Sequence, residues 1–158
     1  MSFGNKNDVI GQMIEYFHKE NSFQICNSND KPDEIYRKSI GKMCIIKDNN
    51  LIINYKFFKL IAHEETYPYI LSFVIQNIHN ILQNNPTFNV HFCLKTMTLT
   101  QISKHYNFII NSCEQFKNIF PDKLNQCYLY NCPFMFDKIH EIISLFLDKK
   151  TRGKIIKV

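Results

Sequence analysis

Phe120-Pro-Asp-Lys-Leu-Asn-Gln-Cys-Tyr-Leu-Tyr-Asn-Cys-Pro133 holds a helix stop, a strand and a helix start in one short run. Pro121 lacks the amide hydrogen that a helix interior needs, so it ends whatever helix precedes it. Leu124 to Asn131 is β-like. Pro133 suits the first turn of a helix, where its missing donor costs nothing, and the apolar pattern carries that helix to Leu147. A strand between two helices in so few residues is the signature of a parallel sheet with crossover helices.

Reading outward repeats the alternation. Upstream, Ile102, Tyr106, Ile109, Cys113, Phe116 and Phe120 form a helical stripe over about 102–119. Before it, Phe88 to Leu94 alternates, with Phe88, Val90, Phe92 and Leu94 on one side and Asn89, His91 and Cys93 on the other. A mostly buried helix spans 66–83, with Ser72, Gln76, Asn80 and Gln83 as its polar stripe. Lys42 to Lys47 and Leu51 to Phe58 read as a hairpin about Asp48-Asn49-Asn50. Shorter helices are expected over 8–19, and from Asp30-Lys-Pro32 to Ser39. Downstream, Lys154 to Val158 is a last short strand. The pattern predicts an α/β fold with a mostly parallel sheet.

Bulk properties narrow the function classes. The 158 residues fit one domain, and 45% hydrophobic with 21% charged residues is ordinary for a globular protein. With only 4 glycines, Gly-rich phosphate loops are disfavoured. The six cysteines, Cys26, Cys44, Cys93, Cys113, Cys127 and Cys132, show neither CxxC nor zinc-finger spacing, so reduced thiols, no metal and a cytoplasmic protein are expected. Residues 1–11 hold no apolar signal core, and no run nears the roughly 18 apolar residues of a membrane span. Net charge is +5, and Lys149, Lys150, Arg152, Lys154 and Lys157 concentrate it at the end of the chain. Such a tail attracts phosphate on lipid head groups or nucleic acid, or is merely a solvated basic end. No aromatic platform accompanies it, so no nucleic acid is expected.

Enzymatic readings fail on spacing. His63-Glu64-Glu65 opens like a zinc-protease motif, but position 67 is Tyr and the second ligand is missing. His91 and Cys93 share a strand face without a nucleophile elbow or an oxyanion motif. His105 and His140 have no partner at ligand spacing and read as surface residues. No catalytic residue, metal or cofactor is assigned.

On a helical wheel, Met135, Phe136, Ile139, Ile142, Ile143, Phe146 and Leu147 fill one apolar arc of 134–147, opposite Asp137, His140, Glu141 and Ser144. Phe134 and Leu145 form a separate apolar spot. A core helix with two exposed apolar residues explains this pattern without further function. A lid over a greasy cavity explains it too.

Three pieces in order, Phe120-Pro-Asp-Lys-Leu, then Tyr130-Asn-Cys-Pro, then Phe146-Leu-Asp-Lys-Lys-Thr-Arg-Gly-Lys-Ile-Ile, resemble the CRAL-TRIO lipid-binding domains. Weaker similarity reaches back through Val90-His-Phe-Cys-Leu-Lys-Thr to Lys47-Asp-Asn-Asn-Leu. The resemblance implies a three-layer fold with a gate helix, here 134–147, over a lipid pocket. Phe92, Phe134, Met135, Phe136, Ile139, Ile142, Ile143 and Phe146 would line the acyl chains. Asp122 and Lys154, with Lys123 and Arg152, would hold the head group. The bound phospholipid would be phosphatidylinositol or a phosphoinositide, exchanged at an anionic membrane surface by a peripherally associated cytoplasmic protein. Residues 1–40 would be a short helical segment and 41–158 the lipid domain, a version shortened at both ends. An open pocket makes a homodimer one expectation. Departures are Cys93 for the family's strand aspartate, Thr96 for its glycine, and Phe88 and Val90 for small hydroxyl residues tied to phosphatidylcholine. The rival reading is an interaction or dimerisation module that keeps this fold and moves no lipid.

Overall fold

The computed structural model describes residues 6–20, 29–132 and 136–158. Helix α1 (Lys6–Glu20) and helix α2 (Pro32–Met43) precede an antiparallel pair, β1 (Cys44–Lys47) and β2 (Asn50–Asn54). Helices α3 (Tyr55–Ile61) and α4 (Tyr67–Leu82) lead to β3 (Phe88–Cys93). Helices α5 (Leu99–Lys104) and α6 (Tyr106–Ile119) lead to β4 (Leu124–Tyr130). Helices α7 (Phe136–Ser144) and α8 (Lys149–Arg152) precede β5 (Ile155–Lys157). One sheet of five strands runs β1-β2-β3-β4-β5, and every pair after the first is parallel.

Right-handed crossovers between parallel neighbours send their helices to one face of the sheet. There Ile70, Val74, Ile78 and Ile81 of α4 pack with Phe57 and Ile61 of α3 on Leu51, Phe88, Val90, Cys127 and Leu129. The other face is closed by α1, whose Met13 and Phe17 are buried with Ile52, Cys93, Tyr128 and Tyr130. A sheet covered on both sides explains why Cys127 to Tyr130 are all buried.

The predicted hairpin forms, and its Asp48 takes the left-handed backbone at φ 56°. Its second strand is shorter than expected, because Tyr55 to Phe58 are helical. Asn54 caps that helix by accepting from the Lys56 amide at 3.1 Å, and the local hydrogen bond outweighs the β-branched and aromatic pattern. The helix predicted over 102–119 is two helices meeting at His105. Thr98 and Gln101 form a capping box that starts the first of them at Leu99. The break turns the stripe: Tyr106 is exposed, while Phe108 stacks on Tyr67 with ring centres 4.6 Å apart. His105 is therefore buried and not a surface residue, its Nδ1 lying 2.6 Å from the Tyr67 hydroxyl. Helix α2 runs four residues past Ser39 to Met43, which anchors its end in the main core.

Candidate functional site

Parallel strands place their starts on one edge of the sheet, and the predicted head-group residues gather there. Asp122 sits in the turn before β4 at φ 58°, with its side chain exposed. Helix α8 starts at Asp148, whose Oδ1 accepts from the Thr151 amide at 2.7 Å. That turn of helix delivers Lys150, whose Nζ lies 2.9 Å from Asp122 Oδ1. Lys154 follows α8, is half-buried, and donates its Nζ to the Leu124 carbonyl at 2.6 Å.

The electrostatics tie these groups together. The hydrogen bond from Lys150, then its charge, hold the Asp122 carboxyl below the usual carboxylate range, with a smaller contribution from Lys154. Hydrogen bonds from Thr151 hold Asp148 low, aided by the charges of Lys117 and Lys154. Asp122 in turn pushes the Lys150 amine up. Lys123 and Arg152 are exposed at this edge. The structure thus brings Asp122 and Lys154 to one place, but the direct ion partner of Asp122 is Lys150. Sequence reasoning missed Lys150, although the Asp148-to-Thr151 spacing is a capping signal that sets the helical turn carrying it.

Helix α7 joins β4 to β5, so the same handedness directs it to the face of α4 and α6. The charge of Lys117 on α6 reaches Asp148 just beyond it. Ile142, Ile143, Phe146 and Leu147 are half-buried, and Leu145 is 75% exposed. His140 is half-buried too, with Ser144 Oγ 3.3 Å from its Nδ1, which corrects its reading as a surface residue. None of the described α7 side chains joins either buried cluster. Phe92 is half-buried on the crossover-helix face, packed against the main core with Ile53. Phe134 and Met135 lie outside the described residues, as do Cys26 and the side chains of Phe136 and Ile139.

The face under α1 carries a polar chain that sequence reasoning did not find. His91 is fully buried; its Nδ1 accepts from the Tyr130 hydroxyl at 2.8 Å and its Nε2 donates to Asn50 Oδ1 at 2.9 Å. Asn89 donates to the same Asn50 oxygen at 3.2 Å and accepts from Asn125 at 2.9 Å. Burial lowers the His91 pKa to about 4, so the ring is neutral. Cys93 is buried, its sulfur taken by the Asn131 amide at 3.7 Å. With both His91 nitrogens engaged, this pair serves packing. Among the described residues no group of three or more His, Cys, Asp or Glu could hold a metal ion.

The sequence model of the CRAL/TRIO domain matches residues 41–158, three quarters of the chain and all five strands. The chain belongs to the CRAL/TRIO domain family. It is similar to the SEC14 cytosolic factor of Yarrowia lipolytica, 22% identical over 155 residues, which is 97% of this chain and 29% of that protein. The chain therefore spans less than a third of the length of this curated relative. The crystal structure of Sfh5 superposes with a TM-score of 0.63 at 17% identity, covering 73% of this chain and 46% of that one. That likeness shows the CRAL/TRIO fold, a mixed α/β arrangement around a mostly parallel sheet. Members of this family are generally lipid-binding proteins.

Proposed function

We propose that this chain holds a single phospholipid, phosphatidylinositol or a phosphoinositide ahead of phosphatidylcholine, and exchanges it at anionic membrane surfaces without catalysing a reaction. The observation that carries the reading is that two features follow one another along the chain, α7 leading through α8 into the start of β5. One is α7, an amphipathic helix whose described side chains stay outside both cores. The other is the cationic edge formed by Lys150 and Lys154 around Asp122. An ammonium can pair with phosphate, and a carboxylate can accept inositol hydroxyls. Asp122 is already engaged by Lys150, so a head group arriving there meets a preformed acid–base pair. Phe88 and Val90, buried in the core in place of small hydroxyl residues, speak against a phosphatidylcholine head group on that strand. On this reading the segment before the lipid domain of 41–158 carries, among its described residues, α1 and most of α2. No helix among the described residues is long and apolar enough to cross a membrane, and the reading calls only for peripheral contact.

Native mass spectrometry of the purified chain is expected to show co-purifying phospholipid, and the chain is expected to move labelled phosphatidylinositol between vesicles. An empty protein that moves no lipid overturns the proposal. A homodimer or interaction module is the second reading, favoured by the large exposed side chain of Leu145 just past the end of α7. A concentration-dependent dimer that is empty of lipid and dissociates on Leu145→Glu would establish it instead.

A further inference from the structure

The opposite edge of the sheet, where the parallel strands end, carries a second cluster of cations. Ligands in open α/β sheets settle outside the carboxyl ends of the strands. Asn54 closes β2, and its register partner Cys93 closes β3, two residues before Lys95. A cavity of about 390 Å³ opens between these ends, lined by Asn54, Lys56, Lys59, Leu60, Lys95 and Thr96. Lys56 and Lys59 come from α3, and Lys95 and Thr96 from the turn after β3. None of the three lysines pairs with a carboxylate among the described residues. Three uncompensated ammonium groups around one cavity repel each other unless an anion joins them.

Asn54 supplies an independent observation. It is 3% exposed, and its Oδ1 is spent on the Lys56 amide. Its Nδ2 is buried with no acceptor in reach. A buried donor without an acceptor costs about 1–3 kcal/mol, so such a group calls for an explanation. Asn54 itself lines the cationic cavity, and a small side-chain shift would bring this donor to an anion oxygen held there. Thr96 is consistent with that use, since a β-branched residue at φ 75° is strained, and strain gathers at ligand sites.

We infer that Lys56, Lys59, Lys95, Asn54 and Thr96 form a binding site for a phosphate ester, distinct from the edge of Asp122 and Lys154. The lysines supply charge, Asn54 a buried donor and Thr96 a hydroxyl. The ester can be a soluble molecule or the head group of a membrane lipid, and the chemistry at the site is the same. This site does not depend on the lipid-exchange reading.

The test uses the full chain carrying Lys154→Ala, which removes the head-group lysine at the other edge. Two probes are compared: soluble myo-inositol 1,4,5-trisphosphate by calorimetry, and phosphatidylcholine vesicles with or without phosphatidylinositol 4-phosphate by co-sedimentation. Lys59 and Lys95 are exposed, so Lys59→Gln/Lys95→Gln keeps the fold, checked by its melting curve. The double variant is expected to weaken binding about tenfold or more, the scale for losing charge-assisted hydrogen bonds. Asn54→Asp, which keeps the cap and replaces the donor with a negative charge, is expected to weaken it likewise. Loss in the calorimetric arm identifies a soluble ester, and loss confined to the vesicle arm identifies a lipid head group. Binding of neither probe, or equal binding by the parent and the double variant, overturns the inference.

Discussion

The Tyr130 hydroxyl donates to His91 Nδ1 across 2.8 Å, on the sheet face that α1 covers. Tyr130 thereby fixes the histidine as the Nε2-protonated tautomer, and Asn50 receives that proton's hydrogen bond. Removing the hydroxyl in Tyr130→Phe leaves Nδ1 buried without a donor. The variant is expected to lose about 1–3 kcal/mol of stability, read as a lower urea midpoint at unchanged slope. A midpoint equal to wild type would mean that the hydroxyl contributes nothing.

The same histidine makes the fold acid-sensitive. Its pKa is about 4 when folded and about 6.5 when unfolded. Between these values the unfolded chain holds the proton and the folded chain does not. Stability is therefore full above about pH 6.5 and falls as pH drops toward 4, by up to about 3 kcal/mol. Denaturation midpoints across this window should show a shallower slope in His91→Gln. An unchanged slope would assign the acid sensitivity to other groups.

Helix α1 is held chiefly by Met13 and Phe17, with Phe17 lying 5.1 Å from the Tyr130 ring. Phe17→Ala removes a buried aromatic ring and is expected to cost about 3–5 kcal/mol, less any relaxation of α1. Limited proteolysis should then cut within residues 6–20 faster than in the parent chain. Equal cutting rates would show that α1 docks by other means.

Thr96 holds φ 75°, where a β-branched side chain is strained and glycine is not. Thr96→Gly is expected to gain about 1 kcal/mol, the relieved strain exceeding the added freedom of the unfolded chain. Thermal melting reports it directly, and a fall in melting temperature would contradict it.

For the lipid reading, Lys154→Ala is expected to weaken phosphoinositide binding while leaving other lipids alone. Ile142→Asn or Phe146→Asn should weaken every lipid, because buried apolar area is worth about 25 cal/mol per Å². Vesicle transfer assays with phosphatidylinositol and phosphatidylcholine separate the two patterns. A Lys154 variant with unaltered preference would remove that lysine from the head-group site.

The legible parts of the fold are those where one physical rule acts alone. The alternation of Phe88 to Cys93, the stripe of α4 and the turn at Asp48 each follow from periodicity or backbone preference, and each stands as expected. Where two rules competed, the local one won. Tyr55 to Phe58 have a strand's composition, yet the cap from Asn54 turns them into helix. His105 falls off the apolar stripe of one continuous predicted helix and reads as a surface residue, and only its contacts with Tyr67 and Phe58 bury it where α5 meets α6. At the candidate site the motif found Asp122 and Lys154, but periodicity is blind to pairing between distant elements. Lys150 and the Asn125–Asn89–Asn50–His91–Tyr130 chain emerge only when β2, β3 and β4 lie side by side.

The position of α7, with none of its described side chains in either core, has a consequence for how the molecule can vary. Local opening of an element whose described side chains lie outside both cores costs less than opening the sheet and the helices buried on it. Substitutions along its apolar arc can then change how often it opens without approaching the threshold at which the whole chain unfolds. Selection acting on opening and selection acting on foldedness work on different residues, and each can proceed without undoing the other.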